Sequence, residues 1–156
     1  MAKKLYVSDG MFRDSLIEII QQSIHDDWRP EIIVGPNRGG LQMGVMLSHF
    51  FRVPFIPIQW QTRDGEGRDI AGTQSVFEKY KDKKILLVDD INDTGKTLSD
   101  ILSHCSIDIE IKVATLFHKT TSQYQDVDYY SHELTPDTDA WIVFPYEEWW
   151  NQGAFK

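Results

Sequence analysis

The residues best equipped for chemistry lie in one string, Val88-Asp89-Asp90-Ile91-Asn92-Asp93-Thr94-Gly95-Lys96-Thr97. An apolar run leads into two adjacent carboxylates, then a short polar turn, then the start of a helix. The segment Asp93 to Thr97 presents backbone N–H groups and two hydroxyls at a helix N-terminus, which is an anion-binding arrangement. Gly95 permits close approach of backbone to ligand. Asp89 and Asp90 repel a phosphate, but they suit hydrogen bonds from vicinal hydroxyls or a Mg²⁺ ion held through water. A ligand with a phosphate at one end and a diol in its middle satisfies both halves, and a ribose 5-phosphate is such a ligand. Gly95-Lys96-Thr97 does not close a P-loop, because that motif needs a glycine where Asp90 stands.

Three further segments carry groups of interest. Gly35-Pro36-Asn37-Arg38-Gly39-Gly40 is a glycine-rich turn ahead of a helix, with one cation, and reads as a second anion site. Val113 to Lys119 is a strand ending in an ammonium, which is either a surface lysine or a group aimed at the carboxyl edge of a sheet. Trp141, at the head of Trp141-Ile142-Val143-Phe144-Pro145-Tyr146-Glu147, offers a flat polarisable face for a heterocycle, although a tryptophan there also suits a core or an interface. The five histidines show no metal-ligand spacing with Cys105, and are predicted to be surface or partly buried residues. Cys105 itself falls on an apolar helix face and reads as a small core residue.

The elements that must position these groups follow from periodicity. Phe12, Leu16, Ile19, Ile20 and Ile24 make one stripe on a helix over 11–25, with Asp9 as a cap near its start. Glu31 to Gly35 is a short β-branched run that reads as a buried strand. Residues 41–51 are apolar on most faces, as in a helix packed between a sheet and something else. Residues 53–60 read as an extended strand that Pro54 and Pro57 push towards an edge. Residues 61–77, with three glycines and several charges, read as a long mobile loop. Lys84 to Asp90 suits a central parallel strand. Leu98, Ile101, Leu102 and Cys105 line a helix over 96–105. Ile109 to His118, Val127 to Leu134 and Ala140 to Phe144 are further strands. Trp149 and Trp150 are too apolar to leave together in water, and are predicted to pack on the core or on a second subunit. Helices alternating with β-rich runs argue for a single α/β domain over 1–156, with a mostly parallel sheet and ligands at the carboxyl ends of its strands.

The chain has 156 residues, sized for one domain with a hydrophobic core. Its net charge of −8 repels nucleic-acid phosphates in general, while a local cluster of amides and cations still holds a small phosphorylated ligand. No apolar run is long enough for a spanning helix, and the first nine residues carry no signal-peptide pattern. With a single cysteine and no intrachain disulfide, the chain is predicted to be cytoplasmic.

The string from Val88 to Thr97 resembles the phosphoribosyl-pyrophosphate-binding motif of the type I phosphoribosyltransferases. The other segments resemble the 6-oxopurine branch, the hypoxanthine-guanine and xanthine-guanine enzymes, over roughly residues 30–147. The resemblance implies a sheet flanked by helices, a small hood region and a flexible loop near 61–77. It also implies transfer of a 5-phosphoribosyl group to a purine base in salvage, with Mg²⁺, in a homodimer or homotetramer. Pyrophosphate contacts then fall to Arg38, Gly39 and Gly40, with a cis peptide expected at Asn37–Arg38. Ribose hydroxyls fall to Asp89 and Asp90, and the 5′-phosphate to Thr94, Gly95, Lys96 and Thr97. Asp93 becomes the proton acceptor at the purine N7. Lys119, Trp141 and Ile142 take the base, and Asp90 with Glu147 the metal. The family's Ser-Tyr pair at the start of its flexible loop is missing, since Trp60-Gln61-Thr62 stands there. That departure keeps a non-catalytic relative in view, and a phosphoribosyltransferase for another base such as a pyrimidine is a separate alternative, against which Lys119 and Trp141 argue.

Overall fold

The computed structural model describes residues 3–61 and 67–151. Five parallel strands form its sheet: β2 (Ile32–Pro36), β3 (Phe55–Ile58), β4 (Ile85–Asn92), β5 (Ile111–Lys119) and β6 (Tyr129–Leu134), in the order β3-β2-β4-β5-β6. Side chains alternate across these strands and divide the core in two. Ile33, Leu86, Val88, Ala114 and Leu116 face helices α1 (Asp9–His25) and α2 (Leu41–Phe51). Ile32, Val34, Ile85, Leu87 and Val113 face α3 (Ile70–Lys79) and α4 (Lys96–Ser103). Central strands covered on both sides must be apolar at every position, which explains the unbroken run Ile85-Leu86-Leu87-Val88. Strand β3 lies at the edge, as Pro54 and Pro57 required.

The order of strands sets where a site can form. The chain leaves β2 for β3 on one side, and later enters β4 on the other side of β2. The loops after β2 and β4 therefore diverge at a topological switch point, and a crevice opens between them.

A second, two-stranded parallel sheet stands apart as a hood. Strand β1 (Lys4–Tyr6) pairs with β7 (Trp141–Val143), matching Lys4 with Trp141 and Leu5 with Ile142. Three residues of mixed polarity at the start of the chain carried no strand signal. Their pairing comes entirely from the partner strand.

Several expectations need correction. The cap of α1 is Ser8, whose hydroxyl accepts the Met11 amide at 3.1 Å. Asp9 is the first helical residue, where its charge favours the N-terminal dipole. Residues 61–77 are not one long loop: Ile70 to Lys79 form α3, capped by the Asp69 carboxylate on the Gly72 amide and anchored by buried Thr73 and Phe77. Residues 62–66 of that segment, Thr62 among them, lie outside the described residues. The strand expected over 53–60 is only Phe55–Ile58, and Trp60 beyond it is a core residue beneath the cleft, bridged to Arg68. Trp149 and Trp150 do not pack on the core of the chain; both are exposed and meet edge to face at 6.1 Å. In α2 only Met43, Gly44 and Leu47 are fully buried, while Val45 and Phe50 are exposed. Cys105 is half-buried against the α3/α4 core, and burial pushes its thiol up to about 12, which leaves it unreactive at neutral pH.

Helix α2 sits on the sheet through Gly44, where an added Cβ would overlap the Phe55 ring. Gly44→Ala is expected to lower the unfolding free energy by about 1–3 kcal/mol through overpacking, read from the midpoint of urea unfolding.

Candidate active site

The turn after β2 meets the end of strand β4 through glycines. A Cβ on Gly39 would lie 2.6 Å from Asp89 Oδ1 and 2.7 Å from Asp90 Oδ1, and one on Gly40 would lie 2.6 Å from the Val88 carbonyl oxygen. No side chain fits at either position. The turn after β2 therefore rests directly on the acidic end of β4. The peptide bond Asn37–Arg38 is cis, as the resemblance implied. The Gly40 N–H donates to Pro36 O at 2.9 Å within this turn, so Gly40 serves there chiefly through its missing side chain.

The carboxylates sit inside the strand rather than beyond it, because β4 continues to Asn92, paired with His118. Asp89 is buried, and its Oδ1 accepts the Asp90 amide at 3.0 Å. Asp90 Oδ2 accepts a hydrogen bond from the Tyr146 hydroxyl. Burial and the neighbouring Asp90 charge both push the Tyr146 hydroxyl far above its ordinary range, so it stays a donor. Its ring stacks on Phe144 at 5.7 Å and meets Phe12 edge-on at 6.3 Å. Tyr146 thus clamps the C-terminal segment onto a residue of the acid pair, and nothing in its spacing marked it in the sequence.

The turn after β4 is braced from below. Gly95 has φ +86°, and its Cβ would meet Ser122 Oγ and Tyr124 N, both at 2.5 Å. Glycine alone satisfies both constraints. As N-cap of α4 it offers no side-chain cap, and the Lys96 amide donates instead to Thr94 Oγ1 at 3.3 Å, so an anion at this turn has to use the other first-turn amides. Beneath it lies a buried network. Asn92 donates to Tyr124 O at 2.7 Å and lies 3.0 Å from His118 Nδ1, while Ser122 donates to Asn92 Oδ1 at 2.9 Å. The Gln123 amide donates to Thr94 O at 2.9 Å. His118 is 5% exposed, which corrects its expected surface or partly buried position. A buried asparagine in the middle of the acidic string was the signal available for this network.

The remaining groups meet above the turn. Lys119 Nζ lies 2.9 Å from Asp93 Oδ1 and 2.9 Å from Asp139 Oδ1. Burial works against the ammonium, but hydrogen bonds to Asp139 and Asp93 outweigh it and hold its pKa above the ordinary lysine value. Trp141 is 48% exposed on the hood, and Ile142 is buried beside it. Glu147 accepts the Phe144 amide at 2.9 Å.

Together these residues line a cleft of about 680 Å³, large enough for a nucleotide-sized ligand. Arg38, Gly39, Asp89, Asp90, Asp93, Thr94, Gly95, Thr97, Lys119, Trp141, Ile142 and Glu147 all face it; Gly40 and Lys96 do not. Among the described residues no helix is long and apolar enough to cross a membrane.

The model of the phosphoribosyl transferase domain matches residues 9–150. The chain belongs to this family. Hypoxanthine-guanine phosphoribosyltransferase of Schistosoma mansoni is 48% identical over 50 residues, a stretch covering 31% of this chain and 18% of that protein. Among solved structures, a purine phosphoribosyltransferase from Pyrococcus horikoshii aligns over 94% of this chain and 95% of its own, at 29% identity and TM-score 0.73. A xanthine-guanine-hypoxanthine phosphoribosyltransferase from Helicobacter pylori aligns over 97% of both chains, at 22% identity and TM-score 0.74, which is a likeness of fold.

Asn92→Ala leaves the Ser122 hydroxyl and the Tyr124 carbonyl without their buried partner. A loss of about 1–3 kcal/mol in unfolding free energy is expected, measured by chemical denaturation.

Proposed function

We propose that this phosphoribosyl transferase domain moves the 5-phosphoribosyl group of phosphoribosyl pyrophosphate to N9 of a 6-oxopurine, releasing pyrophosphate. The observation that carries the reading is the Asp93–Lys119 pair at 2.9 Å, beside the phosphate turn and facing the same cleft as Trp141. An acceptor and a donor in adjacent positions complement N7–H and the 6-oxo group of a purine. A 6-amino group presents donors where Lys119 also donates, and so fits poorly. The Schistosoma mansoni relative and the Helicobacter pylori neighbour are named for 6-oxopurine bases, and the Pyrococcus horikoshii neighbour for a purine, which supports the reading.

In the reaction the bond from ribose C1 to the pyrophosphate oxygen breaks and the bond from C1 to N9 forms. The base gives its proton to Asp93 as positive charge from C1 reaches the ring. The transition state has oxocarbenium character, so alignment and water exclusion provide most of the rate. The turn Asp93 to Thr97 holds the 5′-phosphate, Asp89 and Asp90 hold the ribose hydroxyls, and Arg38 with Gly39 takes the pyrophosphate. Trp141 stacks on the base and Ile142 borders it.

Magnesium belongs to this reading. Among the described residues no group of three or more His, Cys, Asp or Glu side chains forms a metal cage. Asp89, Asp90 and Glu147 present hard oxygens on the cleft, which fits an ion that keeps its waters and shares substrate phosphates. Asp90 and Glu147 would hold it, and it would neutralise charge on the leaving pyrophosphate. Self-association into a homodimer or homotetramer is also part of the proposal, supported by the exposed Val45 and Phe50 of α2.

Pyrophosphate release with guanine, xanthine, hypoxanthine, adenine, uracil and orotate tests the function directly. Turnover is expected with 6-oxopurines and is expected to stop on chelation of Mg²⁺. Silence across the panel, with the donor still binding in calorimetry, points to a non-catalytic relative. Asp93→Asn should lower kcat by about 10²–10⁴; an unchanged kcat removes Asp93 from the proton transfer. Lys119→Ala should raise KM for the base and leave KM for the donor unchanged.

A further inference from the structure

We infer that Asp139 is a positioning residue that aims the Lys119 ammonium at the base. The inference rests on the base site proposed above. An ammonium has three N–H groups in tetrahedral array. Asp93 Oδ1 and Asp139 Oδ1 each lie 2.9 Å from Nζ. Two carboxylates in different directions fix the rotation of the group, and the third N–H is then directed rather than free to turn. With the side chain of Lys119 only 16% exposed, water does not compete on equal terms for that last donor.

The chain delivers Asp139 by construction. Leu134 of β6 pairs with Lys119 of β5, and the Thr120 amide donates to Leu134 O at 2.9 Å. A tight turn follows, in which Thr135 N donates to Thr138 Oγ1 at 2.9 Å and Thr138 N to Thr135 O at 3.0 Å. Asp139 comes next, and two residues later the Trp141 amide donates to Lys3 O at 2.7 Å to begin the hood. Asp139 therefore stands where the chain crosses from the main sheet to the hood. Its ion pair ties the stacking residue Trp141 to the donor Lys119.

The pair has a chemical consequence. When Asp93 takes a proton from the base, its hold on Lys119 weakens. Asp139 then keeps the ammonium in place through the step. Lys119 in return draws the Asp139 carboxyl below the usual carboxylate range.

The test uses the full chain, wild type and Asp139→Asn, with Asp139→Glu as the conservative rescue. Proton–nitrogen NMR of lysine side chains reads the ammonium, assigned by its loss in Lys119→Arg. A slowly exchanging Lys119 signal is expected in wild type and in Asp139→Glu, and a broadened or absent one in Asp139→Asn. In steady-state kinetics Asp139→Asn should raise KM for the 6-oxopurine by about tenfold through misplacement of the donor, with KM for phosphoribosyl pyrophosphate unchanged. An unchanged base KM, or equal rises for both substrates, overturns the inference. So does an ammonium signal identical in wild type and Asp139→Asn. A wild-type chain that turns over no 6-oxopurine overturns the base-site reading instead, and with it the role assigned to the third N–H; the NMR comparison then judges the Asp139 contact by itself.

Discussion

The site depends on a side-chain-free turn lying directly against the acidic end of strand β4. Gly39 and Gly40 bring the turn after β2 against Asp89, Asp90 and the Val88 carbonyl at distances that admit no Cβ. A side chain at either position would drive the loops apart. Arg38 would then be separated from the acids it must work beside. The parallel order β3-β2-β4-β5-β6 supplies the crevice, but the two missing side chains set its width.

A second close approach does the same for the phosphate turn. Gly95 accepts the loop after β5 almost onto its own Cα, and that loop is held in place by the buried Asn92, His118 and Ser122. The turn is thus fixed from beneath by buried polar groups, and Thr94, Gly95 and Thr97 line the cleft. A rigid ring of donors stabilises an anion without reorganising when it arrives, which is the usual route to electrostatic catalysis. Above it, Tyr146 and the hood close the other wall. Acidic groups are thereby concentrated in one cleft, and each of Asp90, Asp93 and Asp139 has a donor beside it.

Much of this was readable from residue order. The acidic string, the glycine turn, Lys119 and Trp141 carry chemistry that is local to a few consecutive residues, and the sheet strands announced themselves by apolar runs. The helix α3 was hidden because its glycine, threonine and serine content resembles a loop, while the Asp69 cap and the burial of Thr73 and Phe77 that hold it show only in the structure. Strand β1 was hidden because three residues have no preference strong enough to declare a strand without a partner.

The sequence by itself determined the family, the α/β class and which segments carry polar groups that line the cleft, since motif chemistry and periodicity are short-range properties. Only the tertiary structure decided which of these groups touch. Asp139 lies 20 residues from Lys119, and Tyr146 lies 56 from Asp90; neither pairing leaves a periodic trace. Such contacts arise when strands distant along the chain settle into register, and register is decided by the packing of the whole core.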